Sequence, residues 1–165
     1  MKAIIINGPA ANGKSSFIKF CKEFYQDTYE LSMVDFVKEV ANYIGWNGEK
    51  TEKSRKFLAD LKDAISKYDK NIIYNSIQTD IDLLTSNSNS EPIFFINARS
   101  PEDINYLVKK YDAKTLLISN PNITQVTSNH ADKNVFCYQY DYIINNNKGL
   151  RELRQKAKSF IESRD

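Results

Sequence analysis

The apolar run Ala3-Ile4-Ile5-Ile6 stops abruptly at Asn7-Gly8-Pro9. A short β-branched run without period-two alternation, bounded by turn formers, predicts a strand buried on both faces. The pattern then changes period. Phe17, Ile18, Phe20, Cys21 and Phe24 recur at helical spacing and predict a helix to about residue 26. Residues 29–33 predict a second strand. A helix over about 35–44 follows, with Phe36, Val37, Val40, Ala41 and Ile44 on one face and Gly45 and Gly48 at its end. Two more helices are predicted, over about 52–68 and 72–84. The first has Phe57, Leu58, Leu61, Ala64 and Ile65 as its stripe.

After the polar tract Thr85-Ser86-Asn87-Ser88-Asn89-Ser90, which reads as a surface loop, apolar runs return. Ile93-Phe94-Phe95-Ile96 predicts a buried strand over 92–97, Leu116-Leu117-Ile118 one over 114–119, and Tyr142-Ile143-Ile144 one over 141–145. Ser100-Pro101-Glu102-Asp103 predicts a helix start, with a serine cap, proline at the first helical position and acids in the first turn. Leu150, Leu153, Ala157, Phe160 and Ile161 mark a closing helix. Strands alternating with helices predict an α/β fold, a five-stranded parallel sheet covered on both faces.

Composition narrows the function. The 165 residues suit a single α/β domain, and 41% hydrophobic with 27% charged residues is ordinary for a globular chain. A formal net charge of +2 gives no field for a nucleic-acid polymer. Cys21 and Cys137 are far apart and His130 is the lone histidine, which argues against a zinc site or a disulfide framework. No stretch reaches the ~20 apolar residues of a membrane span. The first apolar run also ends too early for a secretion signal. The expectation is a cytoplasmic protein, monomeric or homodimeric.

Chemistry enters at the strand ends. Residues 8–15 read Gly8-Pro9-Ala10-Ala11-Asn12-Gly13-Lys14-Ser15, a complete G-x-x-x-x-G-K-S phosphate loop (Walker A) between a predicted strand and a predicted helix. Glycines let consecutive N–H groups converge on phosphate oxygens, and the helix turns its positive end to the anion. Candidate nucleotide contacts are Gly8, Ala10, Ala11, Asn12, Gly13, Lys14, Ser15 and Ser16. Lys14 reaches the β- and γ-phosphates of ATP, and Ser15 is the candidate Mg²⁺ ligand.

The second strand leads into Ser32-Met33-Val34-Asp35-Phe36-Val37-Lys38. Asp35 is a candidate catalytic acid–base or metal helper, against its reading as a first-turn acid beside a Ser32 cap. Lys38 is a candidate phosphate ligand or a solvated helix charge. Arg55, in Lys53-Ser54-Arg55-Lys56-Phe57, and Arg99, just past a buried strand, are candidate substrate-phosphate forks. Residues 119–135 read as a lid with Lys133 as its cation, and His130 there reads as a surface or hydrogen-bonding residue rather than a general base.

Four places together resemble the phosphate-loop nucleoside monophosphate kinases, the phage-type deoxynucleoside monophosphate kinases in particular, and a fifth resembles another kinase family. They are residues 7–15; residues 32–41; Ser54-Arg55-Lys56-Phe57-Leu58; Asn97-Ala98-Arg99 with Ser100-Pro101-Glu102; and Tyr140-Asp141-Tyr142-Ile143-Ile144-Asn145-Asn146, which resembles the tail of dephospho-coenzyme A kinases. The resemblance implies a helical acceptor-binding insertion at about 34–86, Arg55 and Arg99 on the acceptor phosphate, Asn145 or its neighbours near adenine, and ATP with Mg²⁺ as cofactors. It implies phosphoryl transfer to a small (deoxy)nucleoside monophosphate.

Two places depart from that family. Asn97 stands where an acid is expected, and residues 119–135 hold no arginine. A kinase of another phosphorylated metabolite, dephospho-coenzyme A-like or phosphomevalonate-like, and a non-catalytic nucleotide binder therefore stand beside the leading reading. A GTPase is disfavoured because Asn147-Lys148-Gly149-Leu150 lacks the aspartate that reads guanine.

Overall fold

The computed structural model describes residues 1–123 and 135–163. Five strands, β1 (Lys2–Asn7), β2 (Thr28–Ser32), β3 (Ile93–Asn97), β4 (Lys114–Ser119) and β5 (Tyr142–Asn145), form one parallel sheet in the order β2-β3-β1-β4-β5. Ile5 lies opposite Ile96 on one side and Thr115 on the other. The helices are α1 (Lys14–Phe24), α2 (Asp35–Tyr43), α3 (Glu52–Asp69), α4 (Asn71–Ser86), α5 (Pro101–Tyr111) and α6 (Leu150–Glu162), with a 3₁₀ turn at Val135–Cys137.

The chain divides into two compact units, Met1–Glu30 with Ser88–Asp165, and Leu31–Asn87. In the first, the uninterrupted apolar runs of β1, β3 and β4 are buried because helices cover both faces. Ile4, Ile6, Phe95, Leu116 and Ile118 pack with Phe17, Ile18 and Cys21 of α1 and Leu153, Ala157 and Phe160 of α6. Phe17 meets Phe95 and Phe160 edge-on at 6.1 and 5.6 Å. The crossovers β1→β2 and β3→β4 run in opposite directions along the sheet. With right-handed connections, α1 and α5 then leave on opposite faces. That opens a crevice at the carboxyl ends of β1 and β3, where open α/β sheets bind ligands.

Asp141 ties the starts of β4 and β5. Its Oδ2 accepts from the Thr115 amide at 2.8 Å and hydroxyl at 2.7 Å. At the free edge Ile143 is 61% exposed.

The second unit holds α2, α3 and α4. Val37 and Ala41 of α2 and Ile73, Tyr74, Ile77 and Ile81 of α4 are buried. Thr51 caps α3 by accepting from the Ser54 amide at 3.2 Å. The stripe expected on α3 is only partly realised: Phe57, Leu58, Leu61 and Ile65 are half-buried and Ala64 is exposed. Ile44 leaves the expected core face altogether, because α2 ends at Tyr43.

Candidate functional site

The loop between β1 and α1 is tied down at both ends. Asn7, 1% exposed, accepts the Gly8 amide on Oδ1 at 2.8 Å and donates from Nδ2 to the Tyr140 hydroxyl at 2.8 Å. The Tyr140 hydroxyl donates in turn to the Val135 carbonyl at 2.8 Å. Burial first, with smaller contributions from Tyr138 and Cys137 against the pull of Asn7, pushes the Tyr140 phenol up to about 12. Gly8 has φ +147, and a Cβ there would lie 2.2 Å from the Ile118 carbonyl oxygen, so only glycine lets the loop pass β4.

Asn12 is also buried, and its side chain and carbonyl bond three ways. Its Nδ2 donates to the Ala10 carbonyl at 3.0 Å, its Oδ1 accepts the Asn120 amide at 2.6 Å, and its own carbonyl accepts Asn146 Nδ2 at 3.0 Å. Ala11 adopts a left-handed φ of 62, a conformation a non-glycine residue holds only when its surroundings insist.

Gly13, at φ 100, precedes α1, and no side chain caps that helix end. A Cβ at Gly13 would meet Asn146 Nδ2 at 2.5 Å. The uncapped amides of the first turn leave α1 suited to an anion. Lys14 Nζ donates to the Gly8 and Pro9 carbonyls at 2.5 and 2.9 Å, which places the ammonium over the loop.

Ser15 Oγ donates to Glu30 Oε1 at 3.1 Å, and Asn97 Nδ2 donates to the same oxygen at 2.9 Å. Glu30 is an exposed residue of β2 that the sequence reading passed over. Its one signal was a lone carboxylate inside a predicted strand. Among the described residues no three His, Cys, Asp or Glu side chains cluster into a protein cage for a metal. The hard oxygens of Ser15 and Glu30 do fit Mg²⁺, which commonly keeps several waters and takes few protein ligands alongside nucleotide phosphates.

Asp35, Lys38 and Arg55 belong to the second unit. The Ser32 box does not form: Val34 is the cap residue, Ser32 Oγ accepts only the Val34 amide at 3.4 Å, and Asp35 pairs with Lys38 Nζ at 2.7 Å. The helix begins at Asp35, two residues too late for Ser32 to stand at its cap. Asp80 on α4 was also missed. Burial first, and the Asp35 charge second, hold its carboxyl above the ordinary aspartate range. Arg55 is exposed in the first turn of α3. That turn is fixed by Trp46 Nε1 donating to Ser54 Oγ at 3.1 Å.

Arg99 is exposed between buried Ala98 and half-buried Ser100. Ser100 caps α5 by accepting the Asp103 amide at 3.1 Å, and Pro101 opens the helix, as its sequence indicates. Asn145 is exposed on β5, and its carbonyl accepts Lys156 Nζ at 2.6 Å. Its neighbour Asn146, rather than Asn145, touches the loop. His130 and Lys133 lie outside the described residues, as does most of the expected lid.

No protein-family model matches the chain, and no curated protein matches it. Solved structures do. One is an unliganded sugar kinase from Janibacter sp. HTCC2649, at a TM-score of 0.50 and 8% identity, covering 98% of this chain and 95% of that one. Another is an APS kinase from Mycobacterium tuberculosis, at a TM-score of 0.47 and 10% identity, covering 98% and 96%. The chain shares the α/β fold of that sugar kinase. No described helix is long and apolar enough to cross a membrane.

Proposed function

We propose that this chain transfers the γ-phosphoryl group of ATP to the phosphate of a (deoxy)nucleoside monophosphate, releasing ADP and a nucleoside diphosphate. The observation that carries the reading is the Gly8–Ser15 loop, seated at the sheet's crevice with its glycines at positive φ, Lys14 over its carbonyls and an uncapped helix behind it. Its amides and Lys14 bind and orient the β- and γ-phosphates. When bound, Mg²⁺ supplies charge neutralisation across those phosphates, and Ser15 is the residue to hold it. The acceptor oxygen is already anionic, so no strong general base is needed, and positioning carries the catalysis. Arg55, Arg99 and Lys38 are proposed for the acceptor phosphate, Asp35 for orienting Lys38, and Asn145 for the adenine end.

The arginine-free segment 119–135 favours a second reading, a binder that does not turn over. One assay separates them: ADP formation from Mg-ATP with each common ribo- and deoxyribonucleoside monophosphate. Stimulation by one or two acceptors supports the kinase. No stimulation, with ATP binding intact in a thermal-shift control, contradicts it and supports the binder or a different phosphorylated acceptor.

A further inference from the structure

Resting on the nucleotide-binding reading above, we infer that Glu30 is the metal-anchoring carboxylate of this chain, holding the water shell of the divalent cation that accompanies ATP from β2 instead of β3.

Three observations converge. A serine hydroxyl that gives a lone pair to a cation must send its proton elsewhere. Ser15 sends it to Glu30 Oε1 at 3.1 Å, which leaves its lone pairs turned away from the carboxylate. Asn97, at the end of β3, is a carboxamide that cannot serve as an anionic ligand, yet its Nδ2 donates to the same Oε1 at 2.9 Å. An aspartate at 97 would set two carboxylates against each other; an asparagine there pins Glu30 instead. The negative charge has therefore moved to the neighbouring strand, with the amide as its clamp. Finally, Glu30 is exposed on an edge strand, and its Oε2 accepts no hydrogen bond among the described residues. Its second oxygen therefore keeps its lone pairs for a hydrated ligand.

The groups that orient a metal's direct ligands typically change its affinity by 10–100-fold when lost. The test uses the whole chain with Mn²⁺ as the probe, followed by electron paramagnetic resonance in the presence of ATP. Glu30→Gln keeps the size and an acceptor for Ser15. It is expected to weaken Mn²⁺ binding to the ATP complex about tenfold or more. ATP binding in EDTA, read by calorimetry, is expected to stay equal or tighten, because a negative charge facing the phosphates is gone. That opposite sign separates a metal role from damage to the loop. Unchanged Mn²⁺ affinity in Glu30→Gln overturns the inference alone, and so does an equal loss of ATP affinity with and without metal. A wild-type chain that binds no ATP overturns the nucleotide reading and the inference with it.

Discussion

Asn7 Nδ2 donates to the Tyr140 hydroxyl over 2.8 Å, joining the last residue of β1 to the approach to β5 across 133 positions of sequence. The same asparagine holds the first amide of the phosphate loop. Tyr140→Phe strands a buried amide and is expected to lower stability by about 1–2 kcal/mol, read as a fall in Tm. The effect has a defined pH dependence. Burial raises the Tyr140 phenol from its ordinary 10.0 to about 12 in the folded chain. Its contribution is therefore complete below pH 10 and lost as pH rises toward 12. The Tm difference between wild type and Tyr140→Phe should be flat from pH 7 to about 10 and shrink above it.

The two loop glycines should differ in their tolerance of a methyl group. At Gly8 a Cβ meets a backbone oxygen of β4, which has nowhere to go. At Gly13 it meets the end of the Asn146 side chain, which can rotate away at the cost of its bond to Asn12. Both carry positive φ. Gly8→Ala is expected to cost about 3 kcal/mol or more and Gly13→Ala about 1–2 kcal/mol, by denaturant unfolding.

Within the second unit, Asp35 links Lys38 to Asp80. Removing the Asp35 charge takes away one of the two causes that raise the Asp80 carboxyl, leaving burial. Asp35→Asn should therefore shift the Asp80 titration downward without bringing it fully to the ordinary value, as followed by carbon NMR of its carboxyl. A raised carboxyl costs folded stability once ionised and nothing once protonated. Asp80→Asn is accordingly expected to raise Tm at pH 7 and to give no gain at pH 3.

Arg55→Ala and Arg99→Ala should separate acceptor use from donor use. A charge-assisted fork to phosphate is worth about 1.5–3 kcal/mol, or roughly 10–100-fold. The expected result is a rise of that size in KM for the acceptor, with ATP affinity unchanged. Loss of ATP binding in either variant would place that arginine on the donor instead.

What was legible in the sequence was local. The phosphate loop lies within eight consecutive residues, and Ser100 with Pro101 announces a helix in two, because turn and cap geometry is decided by neighbours. Unbroken apolar runs identified β1, β3 and β4 as buried strands for the same reason. The contacts that turn the loop into a site were not legible. Glu30 meets Asn97 across 67 positions, and Asn12 meets Asn146 across 134, through strand order and register that no local pattern encodes. Even a local motif fails when backbone geometry overrides it. Ser32 and Asp35 have box spacing, but the helix starts two residues too late for the serine to cap it.

The account stands or falls on Lys14. Its ammonium lies on the Gly8 and Pro9 carbonyls, at the centre of the loop proposed to bind the transferring phosphates. The decisive measurement is acceptor-stimulated ADP formation by wild type and Lys14→Ala, with circular dichroism to show that both are folded. The account predicts that wild type turns over and that Lys14→Ala loses at least about a hundredfold in rate, as removal of one charged phosphate-stabilising group commonly does. Full activity in a folded Lys14→Ala would contradict it.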